Sequence, residues 1–264
     1  MPYRIDLPDA DHATLDLLVD LGALDVELSQ NGALSALLPD SITPEQVSYV
    51  VGVESVAVLP AKGRDEGSVW VLSPRAIRTG RIRIVPAHVG PEPGALKLID
   101  ASAFGTGLHP TTAMCLEVLD EEVQIAVPND VLDVGTGSGV LALAALMLGV
   151  PAALGIDVDD DALGVAAENA RLNGLGERLK LARGGPESLT GTWPLVFANL
   201  VAAPLIEMAA HLVRHVGHHG VLVLSGIPAS VEPDVERTYR NLGMALLRVK
   251  SRAGWVALVL RASW

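Results

Sequence analysis

Residues 131–140, VLDVGTGSGV, have the composition of a ligand-binding turn. An apolar strand ends there in three alternate glycines at positions 135, 137 and 139, and an apolar stretch that predicts a helix follows directly. Glycines let the backbone approach a ligand closely, and a helix N-terminus attracts polar or anionic groups. The turn has Val140 where a dinucleotide-binding turn has its third glycine. The spacing therefore indicates a nucleotide-like ligand other than NAD(P).

Two polar residues at the ends of later strands extend this candidate site. The pattern of the glycine turn is similar to the first motif of S-adenosylmethionine-dependent methyltransferases. Asp157 ends the strand AALGID, where a carboxylate accepts hydrogen bonds from both hydroxyls of a ribose. The alternative for Asp157 is that it caps the next helix with the acidic run 159–161.

The second of these residues, Asn199, lies near the end of the predicted strand LVFANL. In an open parallel sheet, the carboxyl ends of the strands form the binding crevice. The amide oxygen of Asn199 can accept a hydrogen bond from an incoming amine and direct the lone pair of that amine toward a methyl group. The alternative is that Asn199 caps the following helix.

A second glycine-rich stretch, ASAFGTGLHPTT, occupies residues 101–112. Within ten residues it contains two glycines, three threonines and His109, and it precedes a helix predicted over about 111–121. We expect both glycine-rich stretches to face one ligand. The structural alternative for His109 is that it holds this turn through a backbone hydrogen bond.

The order of apolar segments predicts an α/β protein with a small domain in front. Residues 1–60 follow the order strand-helix-strand-strand-helix-strand of a ferredoxin-like α+β domain, with a hairpin turn at Asn31-Gly32 and a helix cap at Ser41 or Thr43. Residues 61–98 are predicted to be a linker with short strands VWVL and RIRIV. From 99 to 264, buried strands alternate with helices at about 139–149, 159–173, 202–216 and 229–242, which predicts a doubly wound, mostly parallel seven-stranded sheet.

The composition limits the protein classes that fit. The formal net charge is −12, which argues against general affinity for nucleic acid, and the apolar run 140–156 is interrupted by a glycine and a proline, which argues against a membrane span. The acidity suits either a basic protein partner or simple solubility. One cysteine, Cys115, permits no intramolecular disulfide, and the N-terminal residues do not resemble a signal peptide. We expect a monomer that works in the cytoplasm, without a direct nucleic-acid partner, membrane or metal. The predicted linker contains four arginines, Arg75, Arg78, Arg81 and Arg83. We interpret their side chains as solvated, and the alternative is that they contact an acidic partner.

Six motifs together resemble the PrmA family, whose members methylate ribosomal protein L11. This resemblance implies a substrate-recognition domain over 1–60, a linker, and a class I methyltransferase domain over 99–264. It also implies S-adenosylmethionine as cofactor and methylation of lysine side chains and of an N-terminal amine. The motifs are AFGTGLHPTT (103–112), DVGTGSGVLALAA (133–145), GIDVDDDAL (155–163), ENARLNG (168–174), ANLVAAPL (198–205) and LSGI (224–227).

The resemblance also implies roles for individual residues. It assigns the cofactor to Thr112, Gly135, Gly137, Asp157 and Asn199. The resemblance also predicts three catalytic residues, Asn199, Phe104 and His109. In this prediction Phe104 and the 105–107 turn form walls of the methyl-transfer pocket, and His109 lies nearby.

Some positions depart from the family pattern. Ala101-Ser102 replaces Pro-Gly, Asp160 replaces a proline at the start of a helix, and the linker lacks the tryptophan and Lys-Pro pair of the family. Other functions therefore stay open. One alternative is a related methyltransferase of another protein lysine, and a second is a non-catalytic module that binds S-adenosylmethionine. A small-molecule methyltransferase is a third, disfavoured because a small substrate needs no separate docking domain.

Overall fold

The protein contains two units, one at each end of the chain. A computed structural model describes residues 3–23, 25–28, 34–60, 76–90, 92–99, 101, 105, 107, 109–252 and 254–264. Within these residues no helix has the length and apolar character needed to cross a membrane. Several predicted features lie outside them: the Asn31-Gly32 turn, the strand VWVL, Arg75, Ser102 and Phe104.

The N-terminal unit has the element order expected from the sequence. Its elements are β1 (Tyr3–Leu7), α1 (His12–Leu21), β2 (Asp25–Leu28), β3 (Leu34–Leu38), α2 (Pro44–Val51) and β4 (Val58–Pro60). The strands form an antiparallel sheet in the order β2-β3-β1-β4, the arrangement of a split β-α-β unit. Ile5, Leu18 and Val47 are fully buried and join sheet and helices in one core. Thr43, one of the two candidate caps, begins α2 through a capping box with Gln46.

The described part of the predicted linker forms a small sheet of three strands. These are β5 (Ile77–Thr79), β6 (Ile82–Pro86) and β7 (Leu96–Leu98), paired in the order β5-β6-β7. Buried side chains of β6 and β7, including Ile84 and Leu96, belong to the same apolar cluster as the helices of the C-terminal unit. The sheet is therefore part of the larger core.

One linker arginine pairs with a buried carboxylate. Arg78, Arg81 and Arg83 are all exposed, but the Arg81 Nε also donates to Asp120 Oδ1 at 2.6 Å, and the Asp120 carboxylate is buried. Arg81 thus ties the turn between β5 and β6 to the helix that carries Asp120.

The C-terminal unit confirms the predicted doubly wound fold. Its elements are α3 (Pro110–Ile125), β8 (Asp130–Val134), α4 (Val140–Met147), β9 (Ala152–Asp157), α5 (Asp160–Leu172), β10 (Leu179–Arg183), β11 (Trp193–Asn199), α6 (Ala202–Glu207), α7 (Ala209–Arg214), β12 (Val216–Pro228), α8 (Glu232–Asn241), β13 (Met244–Arg252) and β14 (Trp255–Ala262). Seven strands pair in the order β10-β9-β8-β11-β12-β14-β13, with parallel pairing up to β12 and antiparallel pairing beyond it. The helix predicted over 202–216 is instead two short helices that meet at Met208.

Helices cover both faces of this sheet. On one face, α3 and α4 pack with the three-stranded sheet around Phe197 and Val223. On the other face, α6, α7 and α8 pack around Val196 and Leu222. The central strands β8, β11 and β14 are therefore buried on both faces for most of their length, whereas the edge strands β10 and β13 are partly exposed.

Candidate active site

The glycine turn follows β8 and leads directly into α4. Gly135, Gly137 and Gly139 all have positive φ, at 70°, 54° and 79°, the left-handed region that side chains other than glycine rarely adopt. A Cβ at Gly135 would also collide with the side chain of Leu200. The backbone N–H groups of Gly135 and Thr136 donate to Ile156 O, at 2.9 and 3.0 Å. The turn is therefore fixed to β9, the strand that ends at Asp157.

Asp157 is bound to the glycine turn through its carboxylate. Its Oδ2 accepts from the Gly137 N–H at 2.9 Å and its Oδ1 from the Asp159 N–H at 3.1 Å. The cap of α5 is Asp159, which accepts from the Asp161 N–H. Asp157 therefore does not cap the helix itself. Each of its carboxylate oxygens has a further lone pair for a ligand donor.

Asn199 has one half of its amide paired and the other half unpaired. Its Nδ2 donates to Thr112 Oγ1 at 3.2 Å, and its buried Oδ1 has no hydrogen-bond partner among the residues that the structure describes. Thr112 is fully buried in the first turn of α3. Helix α6 begins after Val201 without a side-chain cap, so Asn199 does not cap it.

The sheet register brings the predicted cofactor residues to one level. Ala198 pairs with Val134, and Val134 pairs with Ile156. The residues that follow these three in sequence, on the adjacent strands β11, β8 and β9, are Asn199, Gly135 and Asp157. Because neighbouring strands lie about 4.8 Å apart, the Asn199 and Asp157 backbones lie roughly 10 Å apart on either side of the glycine turn, where an open parallel sheet has its binding crevice.

His109 begins α3 and is integrated into its first turn. Its Nδ1 accepts from the Thr111 N–H at 3.3 Å and lies 2.7 Å from Thr111 Oγ1, and its ring packs edge-on against Trp255. Burial lowers the pKa of His109 to about 4, so the ring is neutral at physiological pH. This geometry matches the structural alternative for His109. Phe104, the other predicted wall of the pocket, lies outside the described residues.

A buried carboxyl lies beneath the glycine turn. Asp133 is 1% exposed, and its Oδ2 accepts from the Thr136 hydroxyl at 2.8 Å. Burial raises the pKa of Asp133 to about 6, although the hydrogen bond from Thr136 acts in the opposite direction. A second carboxylate, Asp157, adds to the increase.

Two polar residues that the sequence reasoning did not select are also buried at the turn. Ser138 is 4% exposed and Asn169 is fully buried. A signal for Asn169 was present, because Asn169 and Asn173 recur at helical spacing among the alanines that form the buried face of α5.

A comparison with protein families finds one that covers most of the chain. The model described as "Ribosomal protein L11 methyltransferase (PrmA)" matches residues 72–263. The match therefore includes the three-stranded sheet and the whole C-terminal unit.

Three of the similar curated proteins that carry the name ribosomal protein L11 methyltransferase illustrate the range of the match. The one from Pelobacter propionicus is 36% identical over 208 residues, 76% of this chain and 67% of the relative. The one from Geobacter sulfurreducens is 42% identical over 173 residues, 65% of this chain and 56% of the relative. The one from Geotalea daltonii is 37% identical over 253 residues, 90% of this chain and 78% of the relative. The chain thus matches between 56 and 78% of the length of these three relatives.

A solved structure has the same fold over most of the chain. The crystal structure of ribosomal protein L11 methylase from Lactobacillus delbrueckii subsp. bulgaricus superposes with a TM-score of 0.64 at 28% sequence identity. The superposition covers 71% of this chain and 98% of that chain.

Proposed function

Because the chain belongs to the ribosomal protein L11 methyltransferase family, we propose that it transfers methyl groups from S-adenosylmethionine to amines of ribosomal protein L11. The acceptors in this proposal are lysine side chains and the N-terminal α-amine. The reaction would take place in the cytoplasm with a monomeric enzyme. The family match and the shared fold support methyl transfer, and the geometry around Asn199 supports an amine as the acceptor.

The observation that carries the proposal is the unpaired amide oxygen of Asn199. A buried acceptor without a donor is costly, about 1–3 kcal/mol, and such groups are uncommon in folded proteins. Asn199 Oδ1 lies at the carboxyl end of β11, level with the glycine turn and Asp157. A ligand that brings an N–H donor to this point removes the cost. A primary amine has such a donor and, when neutral, also a lone pair.

The residues at the crevice fit the proposed cofactor. Asp157 has two further acceptor sites for the two hydroxyls of a ribose, and the glycine turn, half-buried at Gly135, leads into the N-terminus of α4. Asn199 and Thr112 lie on the opposite side of the same turn, where the methionine part would reach. S-adenosylmethionine supplies a methyl group attached to a sulfonium, which is already an activated leaving group.

The chain itself then has to position a neutral amine. A lysine amine has an ordinary pKa of about 10.4, so it must lose a proton before it can attack. Desolvation in the crevice lowers its pKa, and the proton goes to water as the lysine enters. Asn199 Oδ1 accepts one N–H of the amine and so directs the lone pair toward the methyl group.

We assign no general base. His109 Nδ1 already accepts from the Thr111 backbone, and the Asp157 carboxylate accepts from two backbone N–H groups and is the proposed partner of the ribose. Catalysis in this account rests on positioning and on exclusion of water.

The N-terminal unit is proposed to recognise the protein substrate. It has its own core, and the match to the Geotalea daltonii relative extends over 90% of this chain and so includes much of this unit. Tyr49 on α2 is 88% exposed and offers an aromatic side chain for a protein contact.

The proposal is tested by replacing the Asn199 amide with an apolar group of similar size. Asn199→Leu removes the acceptor for the amine and leaves Asp157 and the glycine turn intact. We expect the turnover number with ribosomal protein L11 to fall by about 100-fold and the Kd for S-adenosylmethionine to change by less than about threefold, the latter measured by calorimetry.

Asn241→Leu, at the exposed end of α8, is the matched control and should leave both quantities unchanged. Full turnover by Asn199→Leu would refute the positioning role. A large loss of cofactor affinity with an unchanged turnover number at saturation would also refute it, since Asn199 would then be only a cofactor contact.

A further inference from the structure

Ser138 connects the two glycine-rich stretches directly. Its hydroxyl donates to Gly105 O at 2.5 Å, within a buried contact. Gly105 has a φ of +104°, and a Cβ there would lie 2.9 Å from Ser138 Oγ and 3.2 Å from Val140 Cγ1. The first stretch can approach the second this closely because position 105 has no side chain.

The backbone of Ser138 is itself held from α5. The fully buried Asn169 donates from Nδ2 to Ser138 O and accepts at Oδ1 from the Ile99 N–H, both at 2.9 Å. Both halves of this amide are therefore paired, one with the glycine turn and the other with the chain that leads into the 101–109 stretch.

Asn173, one helical turn further on, continues the pattern. Its Oδ1 accepts from the Lys97 N–H at 2.8 Å and its Nδ2 donates to Lys97 O at 2.7 Å. Lys97 and Ile99 are two residues apart, the period at which a strand presents its backbone to one side. The two asparagines therefore bind this edge of β7 much as a neighbouring strand would.

These contacts give the two stretches a common reference point. The Ser138 hydroxyl binds the Gly105 carbonyl. The Ser138 carbonyl accepts from the Asn169 amide, and the same amide accepts from the Ile99 N–H. The preceding residue, Gly137, donates to Asp157. A displacement of the turn at Ser138 would move the backbone at Ile99 and Gly105 together with the Asp157 side of the crevice.

We propose that Ser138 and Asn169 are positioning residues of the methyltransferase, which hold the backbone at the two ends of the 99–105 segment, Ile99 and Gly105, next to the glycine turn. Neither is assigned a contact with the reacting atoms. They act through the Gly105 and Ile99 backbone, so the geometry of the pocket depends on them. This inference rests on the proposed function only for the expected change in turnover. The change in amide exchange of the 99–105 segment can be measured without any substrate.

The test compares Ser138→Ala with Ser263→Ala. Both variants delete a serine hydroxyl that donates to a glycine carbonyl, because Ser263 Oγ donates to Gly243 O at 2.6 Å at the other end of the chain. Amide hydrogen exchange is measured for peptides covering residues 99–108 with S-adenosylhomocysteine bound, together with the Kd for that ligand and the turnover number.

We expect exchange in 99–108 to be about tenfold faster in Ser138→Ala and unchanged in Ser263→Ala. We also expect turnover to fall about tenfold, while the Kd for S-adenosylhomocysteine changes by less than about threefold. Unchanged exchange in Ser138→Ala would overturn the proposal, whatever the enzyme methylates. Faster exchange with a normal turnover number would overturn the positioning role and leave a purely structural contact. If the wild-type protein showed no transfer to ribosomal protein L11, the proposed function would fail, and the exchange result would still decide whether Ser138 holds the segment.

Discussion

Asp157 offers the clearest quantitative prediction about cofactor binding. Its carboxylate has two acceptor sites left after the backbone hydrogen bonds from Gly137 and Asp159. A hydrogen bond to a charged group contributes about 1.5–3 kcal/mol. Two bonds to ribose hydroxyls therefore contribute about 3 kcal/mol at the lower limit, which corresponds to a Kd weakened by ~100-fold in Asp157→Ala. Asp157→Asn keeps one acceptor oxygen and should weaken binding by about tenfold.

The assay is titration calorimetry with S-adenosylmethionine and with S-adenosylhomocysteine. Asp161→Ala serves as the control, because Asp161 is an exposed acid in the first turn of the adjoining helix α5. Thermal unfolding shows whether the variant stays folded, since Asp157→Ala also removes two backbone hydrogen bonds from the turn. If folded Asp157→Ala bound either ligand within about threefold of the wild type, the assignment of the ribose to Asp157 would be refuted.

Two further predictions concern stability. Gly80→Ala should lower the free energy of unfolding by about 2–5 kcal/mol, because φ at Gly80 is +57° and the new Cβ would displace the buried Asp120 carboxylate from Arg81. The control is Gly174→Ala, where φ is +67° but the space around the new Cβ is open, so the free energy of unfolding should fall by only about 1 kcal/mol. Both losses are measured by denaturant unfolding, and equal losses would contradict the account. His109→Asn keeps a helix cap but does not titrate. The His109 pKa is depressed from 6.5 to about 4, so its stabilising contribution is present above pH 6.5 and is lost as the pH falls toward 4. The free energy of unfolding of the wild type relative to His109→Asn should therefore fall by about 3 kcal/mol between pH 7.5 and pH 4 in urea titrations, and a constant difference would contradict the burial of a neutral ring. Asp133 acts in the opposite sense, because its raised pKa gives stability that is lost as the pH rises toward 6. This contribution is the same in the wild type and in His109→Asn, so it cancels in the difference between their free energies of unfolding.

The main sheet was predictable because its central strands are buried on both faces. Such strands are nearly continuous apolar runs, and segments such as VLDV and LVFAN end at glycine or polar residues that stop the run. The grouping of the site residues at the strand ends was predictable too, because a parallel sheet brings the carboxyl ends of its strands to the same edge. Gly135, Asp157 and Asn199 therefore come to one level without any knowledge of side-chain contacts.

The three-stranded sheet was harder to predict because its strands are short and interrupted by charge. RIRIV was recognised, but its alternation of arginine and isoleucine gives no indication of what the apolar side packs against. Ile84 faces the cluster that contains α3 and α4, and this contact joins residues far apart in sequence. The break at Met208 had no signal either, because the apolar pattern continues through it.

The positions of Ser138 and Asn169 were missed for a different reason. Serine beside glycine is typical of any exposed turn, and the helical spacing of Asn169 with the buried alanines of α5 indicates burial without indicating a hydrogen-bond partner. Only the tertiary structure shows that the Asn169 amide lies between the glycine turn and the Ile99 backbone.

The central claim is that this chain methylates ribosomal protein L11. The most direct measurement is transfer from labelled S-adenosylmethionine to a mixture of unmethylated ribosomal proteins of the large subunit, followed by intact mass of each protein. The account predicts a mass gain in steps of one methyl group on ribosomal protein L11 alone. No gain on that protein, in a preparation that binds S-adenosylmethionine, would contradict the claim and direct the search to the lysines of other proteins.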